Sequence, residues 1–578
     1  MPAKKQSRIK TLKDRYNALH TEKGKWLAMY ELIGEYVFCR KQHFQSSAQP
    51  GEFLTENLYS NVAPNSNQTM ASAMIGNLWP NGARSVRLTR PRNIPDNKEN
   101  KDYYDEITNI FTDILDTPET GTATMMQEYM LDQGAFGISG AKIKKTGDLT
   151  DPLRISAMNA KHFLIDEDKD GFIDTIFVDY EWAAKKIVDE YGLENVSIRI
   201  KEAHERNDIL TKFRIIHVIE PRKNAPLIPK SNKQYPFAST HFEFNSEKIL
   251  REGGFLNMPI IIARFLKALG EKQGRSPAMF AMPAIMRLNV VWELLMRAGE
   301  KKLDPPLYLL DNGSLGGDTI DTSPRGITVF NVSGMGEKAP VGTLFDVGLL
   351  QDIFPIAESL TNDITKAFFI DRLMDLNNES KMTLGEAQIR DRIRGEGLNS
   401  VFKRQEAEFF SPFVSTTFNM LLEEGLLGVV RGSENEQRIL EAGLVPLYIP
   451  ADVVKAMSRG QKVYNIKYIS PASRIMRTEE LQGVVQALDI TIGAAPSFPE
   501  MADNYDPDKL VKKLNELSGV DEEILRDTKT IKTLRAARAE MQKQQMQIEQ
   551  AQVGADVGMK VAQAQSMRQG AISGRPKG

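Results

Sequence analysis

The carboxylates of Asp166, Asp168, Asp170 and Asp174, closed by Gly171, come nearest in this chain to a metal-holding pattern. Carboxylates at positions 1, 3 and 5, glycine at 6, Ile173 at 8 and Asp174 at 9 follow the EF-hand calcium loop. Position 12, where a bidentate glutamate is needed, is Phe177, and the flanking runs His162–Ile165 and Phe172–Tyr180 alternate like strands rather than helices. The segment reads as a polar hairpin turn closed by Asp170-Gly171, with a calcium loop as the alternative. The glycine-rich run from Asp311 to Thr319 has no GxxxxGK[ST] or GxGxxG pattern, so it reads as turns rather than a phosphate cradle.

No HExxH pair, GxSxG elbow or paired His–carboxylate cluster is present, and His20, His43, His162, His204, His217 and His241 stand singly. The expectation is a protein with no catalytic residues, no metal ligands and no cofactor. A two-metal nuclease assembled from dispersed carboxylates is the catalytic alternative, because spatial clustering is not written in sequence. Arg390, Arg392 and Arg394 form a third charged group. On a helix their alternate spacing spreads them around the rod, which suits pairing with Glu386, Asp391 and Glu396 better than a single DNA-binding face.

Composition sets the class. With 578 residues, 41% apolar and 26% charged, the chain can build several domains of ordinary globular character. A net charge of −2 lacks the basic excess of a tight, non-specific DNA binder, yet suits a surface along which DNA must slide. The lone Cys39 leaves no intrachain disulfide and fits synthesis in a reducing cytoplasm. The basic start MPAKKQSRIK has no apolar run behind it, and no stretch reads as a membrane span. The 24 methionines suit adaptable subunit packing.

The elements that position these residues are organised around one stretch. Gly274-Arg275-Ser276-Pro277 supplies a helix start, with Ser276 as N-cap and Pro277 at the first position. Leu288, Val291, Trp292 and Leu295 then repeat at helical spacing, and Asp304-Pro305-Pro306 stops the rod. Pro283 should kink or restart its first turns. Ahead of it, 7–37 reads as one or two helices and Thr69–Leu78 as a small-residue helix. Further helices are expected at 97–116 and 120–133, and Glu181 onward is helical to about 205. Strands are expected at Val86–Thr89, Ala141–Lys145, Phe213–Val218, Phe237–Phe244, Pro259–Leu266, Leu307–Leu310 and Thr328–Asn331. Val347–Ala367 reads as a helix kinked at Pro355. A polar interruption at 371–382 follows, and the capping box Thr383–Glu386 starts a long helix to about Ser411-Pro412.

The order of these segments resembles the portal, or head-to-tail connector, proteins of short-tailed bacteriophages. The likeness is carried by the helix, Leu-Trp-Pro-Asn-Gly and strand of 58–90, by 274–306, and by 382–425 with Arg404-Gln405-Glu406 and Ser411-Pro412. It implies an α+β, helix-rich portal-type fold. Its regions would be a wing at 1–180, a stem helix at 181–205, a clip at 206–273 and a second stem helix at 274–304. The wing would resume at 305–470 with a tunnel loop at 371–382, followed by a crown at 471–535 and a C-terminal helical barrel segment with a disordered tail at 536–578. It also implies a dodecameric ring in the virion that passes double-stranded DNA and contacts terminase, major capsid and scaffolding proteins, and tail adaptors, with no membrane. On that reading Arg372, Asn377, Asn378, Glu379, Ser380 and Lys381 are the DNA-channel candidates, in a loop whose charges nearly cancel. A tail adaptor that is not a portal, or a terminase-like nuclease, is the alternative.

Overall fold

The computed structural model describes residues 2–39, 44, 58–80, 82–226, 231–246, 248–311, 320–331, 341–344, 350–373, 398–469, 471–494, 500, 504–518, 531, 533–545, 559–560 and 562–565. The chain divides into two units, Met1–Met476 and Arg477–Gly578. Helices combined with mostly antiparallel sheets build the first unit.

Residues 7–37 fall in one helix, α1 (Pro2–Tyr36). Its apolar residues serve two cores. Ile9, Leu12, Tyr16 and Leu19 pack on Leu164, Phe177, Ile216, Val218 and Phe242, while Tyr30 and Ile33 enter the main core. That core also takes α2 (Val62–Leu78), α3 (Lys98–Asp116) and α4 (Thr122–Phe136). Asn97 caps α3 by accepting from the Asn100 amide, and Gly137 ends α4 at φ 72°, in the left-handed region. The loop ahead of the next long helix crosses this corner so closely that a Cβ on Gly274 would lie 1.9 Å from the Gly137 carbonyl oxygen. Glycine at 274 is therefore a packing requirement as well as a helix boundary.

Two sheets follow from the alternating runs. Strand β2 (Ile138–Lys145) lies between β3 (Leu153–Met158) and β9 (Ile260–Arg264). A five-stranded antiparallel meander runs through β4 (Phe163–Glu167), β5 (Ile173–Ala183), β6 (Lys212–Pro221), β7 (Phe237–Glu243) and β8 (Ile249–Phe255). The four-residue β1 (Val86–Thr89) pairs instead with β13 (Asn465–Tyr468), 376 positions on at its outer end, Thr89 with Asn465.

The expected stem helix at 181–205 is not one rod. Strand β5 continues to Ala183, and two eight-residue helices follow, α5 (Ala184–Tyr191) and α6 (Ile198–Glu205), each roughly 12 Å long. Gly192, at φ 80°, ends the first, and Ala184, Ile187, Tyr191 and Ile200 pack together on Ile215 of β6. Nor do residues 206–273 form a small separate unit. Strands β6 to β8 complete the meander, and β9 joins β2.

The long helix at the centre of the sequence forms as α7 (Pro277–Leu303), with the Ser276 hydroxyl accepting from the Met279 amide at 3.1 Å. Pro283 lies within it without ending it, on the exposed side. After Asp304 come β10 (Leu307–Asp311), β11 (Ile327–Asn331) and β12 (Val341–Thr343), with β10 parallel to β11 and antiparallel to β12. Residues Leu350–Ile353 make a tight turn of helix, and α8 (Phe354–Ala367) returns to pack along α7. Pro355 thus sits in the first turn of α8, where its missing N–H leaves no bond unmade, rather than at a kink. The order helix, small sheet, returning helix is present in this chain, but at 277–367 rather than at 181–304.

The reading that no stretch is of membrane length also needs correction. The Pro277–Leu303 helix is long and apolar enough to cross a bilayer, and 33% of its most apolar window is buried within the chain. Its apolar residues occupy two opposite faces, which a single stripe at i, i+3, i+4 and i+7 did not reveal.

Beyond α8 are α9 (Ile370–Leu373), then α10 at 398–405, a π turn at Glu406–Phe410 and α11 (Ser411–Glu423), followed by α12 (Glu434–Glu441) and α13 (Ala451–Ser458). The helix expected to end at Ser411-Pro412 therefore continues to Glu423 through a widened turn. There the Ser411 amide donates to the Glu406 carbonyl. Pro412 has no N–H to donate and crowds the carbonyl four residues back, and the wide turn relieves both. The helix α14 (Pro471–Ala494) runs into the second unit, which also contains α15 (Pro507–Ser518). Within that unit Lys513 pairs with Glu480 at 2.8 Å.

Candidate channel-loop segment

The described residues just ahead of the proposed loop include a strained corner. Between α8 and α9, Phe369 has φ 58°, a left-handed conformation that is an outlier for a bulky residue and costs on the order of 1–3 kcal/mol. Buried neighbours hold it there: Ile364, Phe368 and Ile370 lie in the main core, and the Phe369 ring faces Phe265 at 6.2 Å. Arg372 is exposed on α9, its guanidinium 5.9 Å from the Phe369 ring. Asn377, Asn378, Glu379, Ser380 and Lys381 lie outside the described residues, as do the capping box Thr383–Glu386 and Arg390, Arg392 and Arg394. Arg372 is the one loop candidate that the structure places. A groove of about 580 Å³ beside Leu373 is lined by Gln68, Thr69, Ser72, Ala73, Gly76 and Asn77 of α2.

The far end re-enters the core through α10. Leu398, Val401, Phe402 and Gln405 face inward, Gln405 with no exposure at all. Both ends of its amide are engaged: Oε1 accepts from Tyr129 at 2.8 Å, and Nε2 donates to the Arg264 carbonyl at 3.1 Å. Gln133 donates to both the Tyr129 hydroxyl and the Ala263 carbonyl, and the Tyr129 ring stacks on Phe409 at 3.9 Å. One turn on, the Glu408 carboxylate accepts from the Arg264 backbone N–H, from its Nε and Nη2 at 3.1 and 3.0 Å, and from Arg404 at 2.8 Å. Arg264 also reaches Glu167, which Lys267 shares. The helix leaving the candidate loop is thus tied to α4, β9 and the β4–β5 hairpin by charge-assisted bonds in a mostly water-free setting.

These contacts also explain the acidic turn. It folds as a hairpin between β4 and β5, with Gly171 at φ 82° and Asp168 Oδ1 accepting from the Asp170 and Phe172 amides at 2.9 Å. Asp166 is engaged by Arg15 at 3.3 Å and by Lys272 at 3.0 Å, and Glu167 by Arg264 and Lys267. Asp166, one of the carboxylates that suggested a calcium loop, and its neighbour Glu167 therefore serve as counter-ions for cations from other elements. Sequence reasoning did not single out Arg264, Glu408 or Tyr129. The available signal was a lone arginine inside the otherwise apolar run Pro259–Leu266, which needs a buried partner somewhere in the fold.

The pattern around Gln405 and Pro412, the Gly274–Ser276 entry to α7 and the helix–sheet–helix excursion at 277–367 lie along one stretch of similarity. The family model described as bacteriophage head to tail connecting protein matches residues 9–525. This chain belongs to that family. It is 23% identical over 581 residues to the probable portal protein of Bordetella phage BPP-1, covering 98% of both chains. It is 24% identical over 416 residues to the portal protein of Salmonella phage epsilon15, covering 70% of this chain and 68% of that one. Among solved structures, the neck of a native gene transfer agent particle computed with C12 symmetry aligns at 10% identity with a TM-score of 0.32. That alignment covers 67% of this chain and 91% of the other, too slight a likeness to bear on the fold. As a head-to-tail connecting protein, the chain has the function of a phage portal and its place is the virion.

Proposed function

We propose that the chain acts as a closed ring, a dodecamer, at one capsid vertex. Double-stranded DNA passes through the ring, terminase docks on it during packaging, and tail adaptors attach afterwards. Contacts with major capsid and scaffolding proteins hold it in the shell. Its work is positional, and none of its side chains breaks a bond. In this reading α7 and α8 are the stem and β10–β12 the clip. The remainder of 1–470 is the wing, 471–535 the crown and 536–578 the barrel segment and tail. The loop entered at Arg372 and continuing through Asn377, Asn378, Glu379, Ser380 and Lys381 faces the channel.

One observation carries the assembly. On α7, Ala278, Ala281, Met282, Ile285, Leu288 and Leu295 are buried within the chain, while Phe280, Met286, Val290 and Leu294 on the opposite side are 62, 42, 50 and 56% exposed. A helix apolar on two faces needs two partners, and among the described residues one chain supplies only the first. A neighbouring copy set against the second face makes a heterologous contact, which closes into a ring when the rotation divides a full turn. At roughly 40 Å, α7 is long enough to line a substantial depth of such a ring.

The test is the double variant Val290→Asp, Leu294→Asp. Both positions are exposed in the single chain, so circular dichroism should be unchanged, while mass by light scattering should fall from a ring to single chains. A full-mass ring from a well-folded variant would remove α7 as the assembly contact.

A further inference from the structure

The exposed face of α7 holds an arginine among apolar residues. Phe280, Pro283, Arg287, Val290 and Leu294 are all exposed and follow one another at alternating spacings of three and four, which sets them in one line along the helix. No side chain among the described residues pairs with Arg287. Helix α8 has a line of the same kind. Ile356, Leu360, Asp363 and Ala367 are spaced four, three and four apart. Ile356 is 55% exposed, Asp363 is exposed, and Leu360 and Ala367 are half-buried at the margin of the main core. Asp363 is likewise unpaired among the described residues.

The two lines also match in height. Helix α8 ends where α7 begins: Phe369, just past α8, faces Phe265 at 6.2 Å, and the next residue, Leu266, is bridged to Arg275 just ahead of α7. The two helices therefore run antiparallel from a common level. Counting residues from that end at 1.5 Å each, Arg287 and Asp363 stand within about one turn of each other. By the same count Val290 and Leu294 stand level with Ile356, and the large Phe280 and Pro283 with the small Ala367. A rotation about an axis along the helices keeps these levels between neighbouring copies.

We propose that the exposed line of α7 seats on the α8 line of a neighbouring copy, with Arg287 paired to that copy's Asp363 as the contact that fixes register. This rests on the ring reading and adds the surface that receives α7. Apolar side chains exclude water on both sides of the pair, so a charge set there is costly alone and selective when matched. A single polar position within an apolar seam sets which heights may meet, as it does in coiled coils. The contact is heterologous, since α7 of one copy meets α8 of the next, and each copy offers both halves. Glu358, exposed on α8 five positions before Asp363, points about 140° away from it and lies off the seam.

A charge swap on the full chain tests this, with mass read by light scattering and folding by circular dichroism. Arg287→Asp and Asp363→Arg should each reduce the ring to single chains, because like charges then meet in every contact. The double variant Arg287→Asp, Asp363→Arg should regain ring mass, and Glu358→Arg should keep it. A second readout does not depend on charge. In a Cys39→Ser background, Val290→Cys together with Ile356→Cys should give a ladder of covalent multimers on a denaturing gel after mild oxidation, and either cysteine alone should give none. Full ring mass in both single swaps, a folded double swap that stays single, a loss of ring in Glu358→Arg, or a full-mass ring without the ladder overturns the seam and leaves the ring standing. Wild-type protein that is itself single chains removes the ring reading, and the seam with it.

Discussion

Arg264 and Glu408, 144 positions apart, form a two-pronged pair at 3.1 and 3.0 Å that locks strand β9 to the π turn behind α10. The arginine side chain is 1% exposed and the glutamate 12%. The pair ties the turn that follows α10 to the sheet strand β9.

Glu408→Ala should therefore destabilise the first unit strongly, by about 3–5 kcal/mol, because it strands a buried guanidinium with only Glu167 and carbonyls to face. Glu408→Gln keeps one acceptor and should cost less. Denaturant unfolding followed by circular dichroism would measure both. A loss below about 1 kcal/mol for the alanine variant would mean that Glu167 alone satisfies Arg264.

Calcium should find no tight site in the β4–β5 turn. Asp166 and Glu167 are already neutralised by Arg15, Lys272, Arg264 and Lys267, and position 12 is an aromatic in the sheet. Calorimetric titration should give no micromolar binding, and micromolar heat abolished by Asp168→Ala would reverse the assignment.

On the sheet face opposite α1, His217 and His241 stack at 3.7 Å on paired positions of β6 and β7. His217 bonds Ser239 and His241 bonds Tyr191, each at 2.9 Å. Burial, then the neighbouring charges Arg251 and Lys142, pushes His241 down to about 3, and burial with the same neighbours and His241 lowers His217 well below its usual range. Both are depressed bases, so their contribution to stability is complete above about pH 6.5 and is lost progressively as pH falls toward 3. The unfolding free energy should decline through that window, and the double variant His217→Phe, His241→Phe should show a shallower decline. An identical pH profile for the variant would remove the pair from the account.

Replacing 376–380 by two glycines should leave ring mass unchanged, since Phe368, Ile370, Leu398, Val401 and Phe402 anchor both ends independently of the loop. Packaging or retention of DNA in a particle assay should be impaired. Stable, genome-filled particles from that variant would show that the channel contact lies elsewhere.

Sequence by itself determined the local elements. Ser276-Pro277 and Asp304-Pro305-Pro306 set the ends of α7, the alternating runs gave most of the strands, and Asp-Gly closed the β4–β5 turn. Each of these depends on backbone preferences and hydrogen bonds within a few residues. The order of the segments was enough for the family, because that order is preserved in the chain whatever the contacts are.

What the tertiary structure alone decided were facts about partners far apart in the chain. The 181–205 stretch has helical periodicity, yet β5 takes its first residues because β6 supplies a partner for them, and Gly192 divides the rest. The small sheet between two packed helices proved to be β10–β12, since nothing local to 206–273 tells a free-standing sheet from strands that extend a larger one. Arg264 found Glu408 and Glu167 across 144 and 97 positions, and α7 showed a second apolar face only once the first was buried. A buried charge or an apolar stripe states in sequence that a partner is required, whereas only the fold can state which residue, on which element or which neighbouring chain, supplies it.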